Sequence, residues 1–190
     1  MKNHILFAGF LLLAAVPVFL PAQAASSPAV QPIINHFAAR NFAPGAITEA
    51  ELNILVQAAI RSPSAANRQP WHFTVVRNMD LARRIVPQLV DGNVLIVISA
   101  PGDGKTNGVQ ILDCALAAQS VYLAAQALGL GSRIYTGPID ALNRNLKDQL
   151  GIPAAQNAVV LVRVGRLPAG TDAVSSASAR NPADRLVTYK

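Results

Sequence analysis

The sequence predicts one layered domain of mixed helix and strand, an α/β or α+β fold, and three stretches carry that prediction. Val94-Leu95-Ile96-Val97-Ile98 is an unbroken apolar run dominated by β-branched residues, as expected of a strand buried on both faces. Ala158 to Val164 reads as a second core strand. Between them, about Val109 to Leu128, lies an Ala-rich segment of helical character that closes at Gly129-Leu130-Gly131. With 190 residues, 52% hydrophobic and without internal repeats, the chain can bury a single core.

The elements follow in order. Met1-Lys2-Asn3-His4 is a short basic start, Ile5 to Leu20 is apolar, and Pro21-Ala22-Gln23-Ala24 ends in an Ala-x-Ala pattern. That reads as a secretory signal over residues 1–24, cleaved after Ala24. The expectation is an exported protein, in a bacterium periplasmic, with no membrane span after cleavage and one domain over residues 25–190. Ser26 to Gln31 is a connector, and a short helix is expected through Ile33 to Phe37. Thr48 with Glu51 three residues on forms a capping box, and Leu52, Leu55, Val56, Ala59 and Ile60 recur at helical spacing until Pro63 stops the helix. Phe73 to Arg77 has strand propensity, Asp80 begins a weaker helix, and Arg133-Ile134-Tyr135 reads as a strand. Asp140 is expected to cap a helix running to Leu150, with Gly151 as its left-handed stop. Leu167 to Lys190 is a polar tail without a core of its own.

Several function classes are disfavoured. The net charge is +6, but the arginines are scattered and no basic run is interleaved with aromatics, so nucleic acid is not an expected partner. His36 and His72 have no metal-ligand spacing around them. The one cysteine, Cys114, lies in an apolar helical pattern and reads as a small buried hydrophobe. Ser99 to Thr106 follows a strand, precedes a helix and ends in Gly-Lys-Thr. Ser99 stands where a phosphate loop needs glycine, however, and Pro101 removes a backbone donor. That stretch reads as a surface loop.

The connection "SPSAANRQPWHF", Ser62 to Phe73, is the most informative stretch. It is rich in small and amide side chains and leads straight into the single Trp. It resembles the signature of the FMN-dependent nitroreductase family. "AARNF" (Ala38 to Phe42) resembles that family's N-terminal phosphate-binding segment. "LDCALAAQSVYLAAQALGLGSRIYTG" (Leu112 to Gly137) resembles its central helix and following strand, and "RNPADRLVTY" (Arg180 to Tyr189) its C-terminal phosphate-binding tail. The resemblance runs from Pro32 to Tyr189.

The resemblance implies an α+β sandwich, a mostly antiparallel central sheet flanked by helices, in an intertwined homodimer that binds FMN at the subunit interface. It implies that Pro63, Ser64 and Ala65 lie against the flavin ring and that Asn67 bonds the cofactor or fixes the loop. Gln69 and Trp71 would anchor that loop. Thr136 and Gly137 would pass close to the reactive flavin nitrogen, and Arg40 and Arg180 would hold the phosphate. His36 and Ala38 complete the candidate set. They are also departures, because the family usually reads Arg-Arg-Ser where this chain reads His36-Phe37-Ala38, so an arginine and a hydroxyl are missing. The stretch from Arg77 to Val94 is shorter than in full-length relatives.

The activity implied is an FMN-dependent oxidoreductase that reduces a small-molecule acceptor such as a nitroaromatic or a quinone, with no catalytic side chain named. The alternative is an exported flavin-binding or FMN-free interaction protein on the same fold. The leader and the shortened stretch lead to a further expectation, that the electron donor is not a soluble pyridine nucleotide.

Overall fold

Four strands, β1 (His72–Val76), β2 (Val94–Pro101), β3 (Gly131–Tyr135) and β4 (Gln156–Gly165), form one sheet in the order β1-β2-β4-β3, and every neighbouring pair is antiparallel. This computed structural model describes residues 28–172 and 177–190; the leader read at Met1 to Ala24 lies outside the described residues. The sheet has a helix layer on each side. Ile96, Ile98, Val160, Val162 and Val164 pack under α2 (Glu49–Ile60) and α4 (Gly108–Ala127). Leu95, Val97, Ala158 and Leu161 pack under α3 (Met79–Ile85) and α5 (Ile139–Asn145). Alternate residues of a strand point to opposite faces, so the unbroken apolar runs of β2 and β4 each feed two cores. The expected α+β sandwich is what forms.

Helix α2 begins as its capping box directs. Thr48 Oγ1 accepts the Glu51 N–H at 3.2 Å, and Glu51 Oε2 accepts the Thr48 N–H at 2.8 Å. The Glu51 carboxylate also takes a two-pronged bond from Arg166, Nη1 at 2.6 Å and Nη2 at 2.8 Å. One side chain thus ties the start of α2 to the end of β4. In α4, Cys114, Ala117, Ala118, Val121 and Ala125 are all fully buried, and these small side chains let α2 approach closely.

Two helix boundaries differ from expectation. The first helix, α1, spans Gln31–Ile34 and stops short of Phe37. Phe37 is claimed instead by Gln126 of α4, whose Oε1 accepts the Phe37 N–H at 3.1 Å and whose Nε2 donates to the Phe37 carbonyl at 2.8 Å. A side-chain amide there satisfies the backbone as a neighbouring strand would, and the chain leaves the helix. Helix α5 ends at Asn145 rather than Leu150, and Pro138, not Asp140, stands at its N-cap. The Asp140 carboxylate lies in the first turn and pairs with Lys105 at 2.8 Å. Gly151 does take the left-handed conformation, with φ 66°.

After Phe37 the chain runs along the start of β3. Ala39 is buried and its N–H donates to the Ser132 carbonyl at 3.0 Å, which leaves Ala38 and Arg40 facing outward on either side. Two glycines permit the close packing. A Cβ on Gly131 would lie 2.7 Å from Leu167 and 3.1 Å from Ala39 and Phe42, and one on Gly165 would run into Asn93 and Phe42.

The Glu51 carboxylate makes stability depend on acidity. The bond from Arg166, and then the Thr48 N–H, hold its pKa at about 2 instead of 4.5. A depressed carboxylate pKa contributes stability that is complete above the unfolded value and is lost as pH falls through the folded one. Thermal melts of wild-type protein should therefore lose several degrees between pH 4.5 and pH 2. Glu51→Gln should be less stable at pH 7, by about 1–3 kcal/mol, and should show a flatter profile across that window.

Candidate functional site

The Ser62 to Trp71 connection lies along the middle of α4. Ser62 Oγ donates to Ser120 Oγ at 2.7 Å, and the Ala65 N–H donates to Asp113 Oδ1 at 3.0 Å. Within the loop, Ser64 Oγ accepts the Gln69 N–H at 3.0 Å, and Gln69 Nε2 donates to Asn67 Oδ1 at 3.1 Å. Gln69 is thus an anchor that orients Asn67, and Trp71 packs against the core beside Phe73. Pro63, Ala65 and Asn67 are exposed and Ser64 is half-buried. Ala66, Asn67 and Gln69 have φ of 50°, 53° and 47°. None is a glycine, so the loop holds a costly left-handed backbone at its exposed tip.

A second group gathers at the other end of α4 and the start of β3. Arg40 Nη2 lies 3.4 Å from Ser178 Oγ, and Arg180 Nη1 donates to the Ser178 carbonyl at 3.0 Å. Arg180 in turn acts on the Tyr122 hydroxyl, and the Tyr122 ring meets His36 edge-on with centroids 5.5 Å apart. Burial pushes the Tyr122 hydroxyl above its ordinary pKa, and Gln126 and Arg180 only partly offset it. Two arginines 140 positions apart in the chain therefore converge, and among the described residues neither has a carboxylate partner. Beside Arg40 a cleft of about 290 Å³ is lined also by Phe37, Ala38, Asn41, Leu167, Pro168 and Thr171. The residues present can hold an anion.

Thr136 and Gly137 form a third group. They follow β3, both are exposed, and a Cβ on Gly137 would meet nothing within 4 Å. The chain itself gives no reason for a glycine there. Ser132 and Thr136 are four residues apart along β3, about 13 Å in an extended strand. The arginine group and Thr136–Gly137 thus share one sheet edge. The Ser62 to Trp71 loop does not, because it feeds β1 on the opposite edge, three strand spacings or about 14 Å away. The structure joins His36, Arg40 and Arg180, sets Thr136 and Gly137 along the same edge, and holds Pro63, Ser64, Ala65 and Asn67 apart from both.

Two features can be set aside. In the Ser99 to Thr106 loop, Asp103 Oδ1 accepts the Lys105 and Thr106 N–H groups, both at 2.8 Å. The loop's own carboxylate fills the place an anion would take. Among the described residues no cluster of His, Cys, Asp and Glu could hold a metal ion.

The model of the nitroreductase family matches residues 33–94 and 86–166, which is most of the described chain. The chain belongs to the nitroreductase family. A relative from Archaeoglobus fulgidus, provisionally named as an NADH dehydrogenase/NAD(P)H nitroreductase, is 33% identical over 124 residues, 60% of this chain and 70% of that protein. Solved structures share the fold. A nitroreductase with bound FMN from Desulfitobacterium hafniense superposes with a TM-score of 0.70 at 22% identity, covering 86% of this chain and 98% of that one. A nitroreductase with bound FMN from Bacteroides fragilis gives 0.70 at 20% identity, covering 87% and 100%.

Sequence reasoning missed four residues in this nitroreductase-family chain: Asp113, Tyr122, Gln126 and Ser178. Asp113 did carry a signal, as the sole acid in α4. The other three act through contacts across the fold that no local pattern marks. Cys114, next to Asp113, is not a nucleophile. Burial, with the neighbouring Asp113 charge, pushes its thiol pKa up to about 12. Maleimide at pH 8 should leave the folded protein unmodified and label Cys114 fully in denaturant, as read by intact mass.

Proposed function

We propose that this chain is an FMN-dependent oxidoreductase that works as a homodimer and passes electrons to a small acceptor such as a nitroaromatic or a quinone. The observation that carries the reading is the convergence of Arg40 and Arg180, with no carboxylate paired to either among the described residues, at one end of the β3 edge. The open Thr136–Gly137 turn lies at the other end. That spacing is of the order that a ribityl phosphate and one flavin ring cover. The bound flavin would supply the hydride and electron chemistry, and the protein binding, orientation and exclusion of water. Arg40 and Arg180 would bind the phosphate, with His36 and the exposed Ala38 beside it. Gly137 would let the backbone come close to the ring.

The dimer supplies what one chain lacks. Pro63, Ser64, Ala65 and Asn67 belong to the β1 edge, so a second copy would bring them against the ring held at the β3 edge. The exposed apolar residues favour such a partner. Val109, Leu112 and Leu116 form a stripe on α4, Leu112 being 65% exposed, and Ile54 and Ile60 are uncovered on α2. Leu186, Val187 and Tyr189 stand out from the tail. Patches of this kind on soluble proteins mark interaction sites.

On the donor, the name of the Archaeoglobus fulgidus relative favours a nicotinamide. The expectation of another donor rests on the leader at residues 1–24, which would place the protein in the periplasm, and on the short Arg77 to Val94 stretch. We adopt the nicotinamide donor. Anaerobic stopped-flow of FMN-loaded protein should bleach the flavin rapidly with NADH or NADPH. Slow bleaching by both, with fast reoxidation by quinones after dithionite, would favour a different donor. Purified protein that neither carries nor takes up FMN would favour the interaction-protein reading.

Arg40→Ala and Arg180→Ala should each weaken FMN binding by about 1.5–3 kcal/mol, the loss of a charge-assisted bond to phosphate. Unchanged affinity in the double variant, by fluorescence titration, would overturn the phosphate assignment. Sedimentation should give a dimer at micromolar concentration, and a stable flavin-bound monomer would overturn the shared site.

A further inference from the structure

Asp113 is the only acid in α4, and it is buried, 4% exposed, in a helix whose inward face is otherwise almost wholly apolar. A buried carboxylate is costly unless its oxygens are satisfied. Its Oδ1 accepts the Ala65 N–H at 3.0 Å. Among the described residues, that is the only hydrogen bond joining residues 63–69 to another part of the chain. The remaining bonds of the loop are internal, and Ala65 to Gln69 are all exposed, so little packing fixes their shape. Yet this is where Ala66, Asn67 and Gln69 hold left-handed backbone. Such a conformation persists only where surrounding contacts over-determine it.

We propose that Asp113 is a positioning residue. Its carboxylate pins Ala65, holds the loop from Ser64 to Gln69 in its strained form, and so presents a pre-set surface to the flavin ring. The proposal rests on the FMN reading above. An acceptor-only group suits the role, because a carboxylate never competes as a donor and makes a stronger bond to an amide than a neutral oxygen does. A loop already in its bound shape is not ordered at the ligand's expense, which is how a distant residue raises affinity without touching the ligand.

Two variants remove the bond from opposite sides. Asp113→Ala deletes the acceptor. Ala65→Pro deletes the donor, at a residue preceded by Ser64 in the extended conformation (φ −142°, ψ 153°) that a following proline requires. Asp113→Asn keeps an acceptor oxygen and serves as the rescue. Two readouts apply to each: the rate of trypsin cleavage after the exposed Arg68 in the absence of flavin, and the affinities for riboflavin and FMN.

Support is cleavage about tenfold faster in Asp113→Ala and Ala65→Pro, with riboflavin and FMN affinity falling together by about tenfold, and a partial recovery of both readouts in Asp113→Asn, whose neutral oxygen makes a weaker bond. A common factor for both ligands places the defect at the ring rather than the phosphate. Unchanged cleavage, or faster cleavage with unchanged flavin affinity, would overturn the proposal. Wild-type protein that takes up neither flavin overturns the FMN reading and this proposal with it. Uptake that survives Asp113→Ala intact overturns this proposal alone.

Discussion

The constraint on which the rest depends is that β2 and β4 are buried on both faces. Neither strand can lie at a sheet edge without exposing apolar residues, so they pair with each other in the middle and β1 and β3 become the rims. The candidate residues feed from the rims. The Ser62 to Trp71 loop enters β1, and Thr136–Gly137 leaves β3. Residues 39–42 run beside the start of β3, where Arg40 meets the tail. A demand for core burial has thus placed the candidate residues at opposite edges of one sheet. A site that drew on both edges would need something from outside the chain to span it, as the proposed second copy, seated on the uncovered apolar stripe of α4, would.

The arginine end of the site is held by contacts that are easily overlooked in sequence. Phe42 lies under the Arg163 guanidinium, 3.8 Å from its ring centroid, and Arg163 Nε donates to Asn93 Oδ1 at 2.8 Å. Arg163 and Asn93 are both buried, and among the described residues Arg163 has no carboxylate partner. The stacked ring and the amide oxygen take its place. Among the described residues Asn93 Nδ2 has no hydrogen-bond partner, a local cost accepted where Gly165 brings the strand against the Asn93 side chain. This packing, with the grip of Gln126 on Phe37, fixes the path of residues 37–42. It therefore fixes where the Arg40 backbone lies.

How much of this was legible follows from range. Thr48 and Glu51 are three residues apart, so the cap of α2 could be read directly. The two-core strands were legible because burial on both faces writes an unbroken apolar run. Helix α5 differs at both ends: Pro138 takes the N-cap ahead of Asp140, and the backbone leaves the helix at Leu146 (φ −131°, ψ −7°), which no local pattern marks. The end of α1 depends on Gln126, 89 positions from Phe37. Propensity at residues 33–37 says helix, and a bonded side-chain amide says otherwise; the tertiary bond wins because an unpaired, half-buried backbone group costs more than a residue's helix preference. The loop motif marked the candidate site, whereas the bond from Ala65 to Asp113 could be seen only in three dimensions.

The departures in the arginine segment read differently once placed. Ala38 lacks a hydroxyl and His36 stands where an arginine was expected, which in sequence suggests a weakened anion site. In the fold, Ser178 brings a hydroxyl to Arg40 from the tail, and Tyr122 stands near Arg180 and against His36. The polar groups have not left the region; they arrive from other segments. A site rebuilt in this way depends on the tail staying in place, and residues 177–190 are exposed along their whole length. Apart from the turn at Ala183–Arg185, the described contacts that hold this segment run through the two arginines, and a ligand between them or a second copy lying over them would hold it further. An anion at Arg40 and Arg180 would then do two things at once: neutralise the pair, and tie the C-terminal segment to the body of the fold.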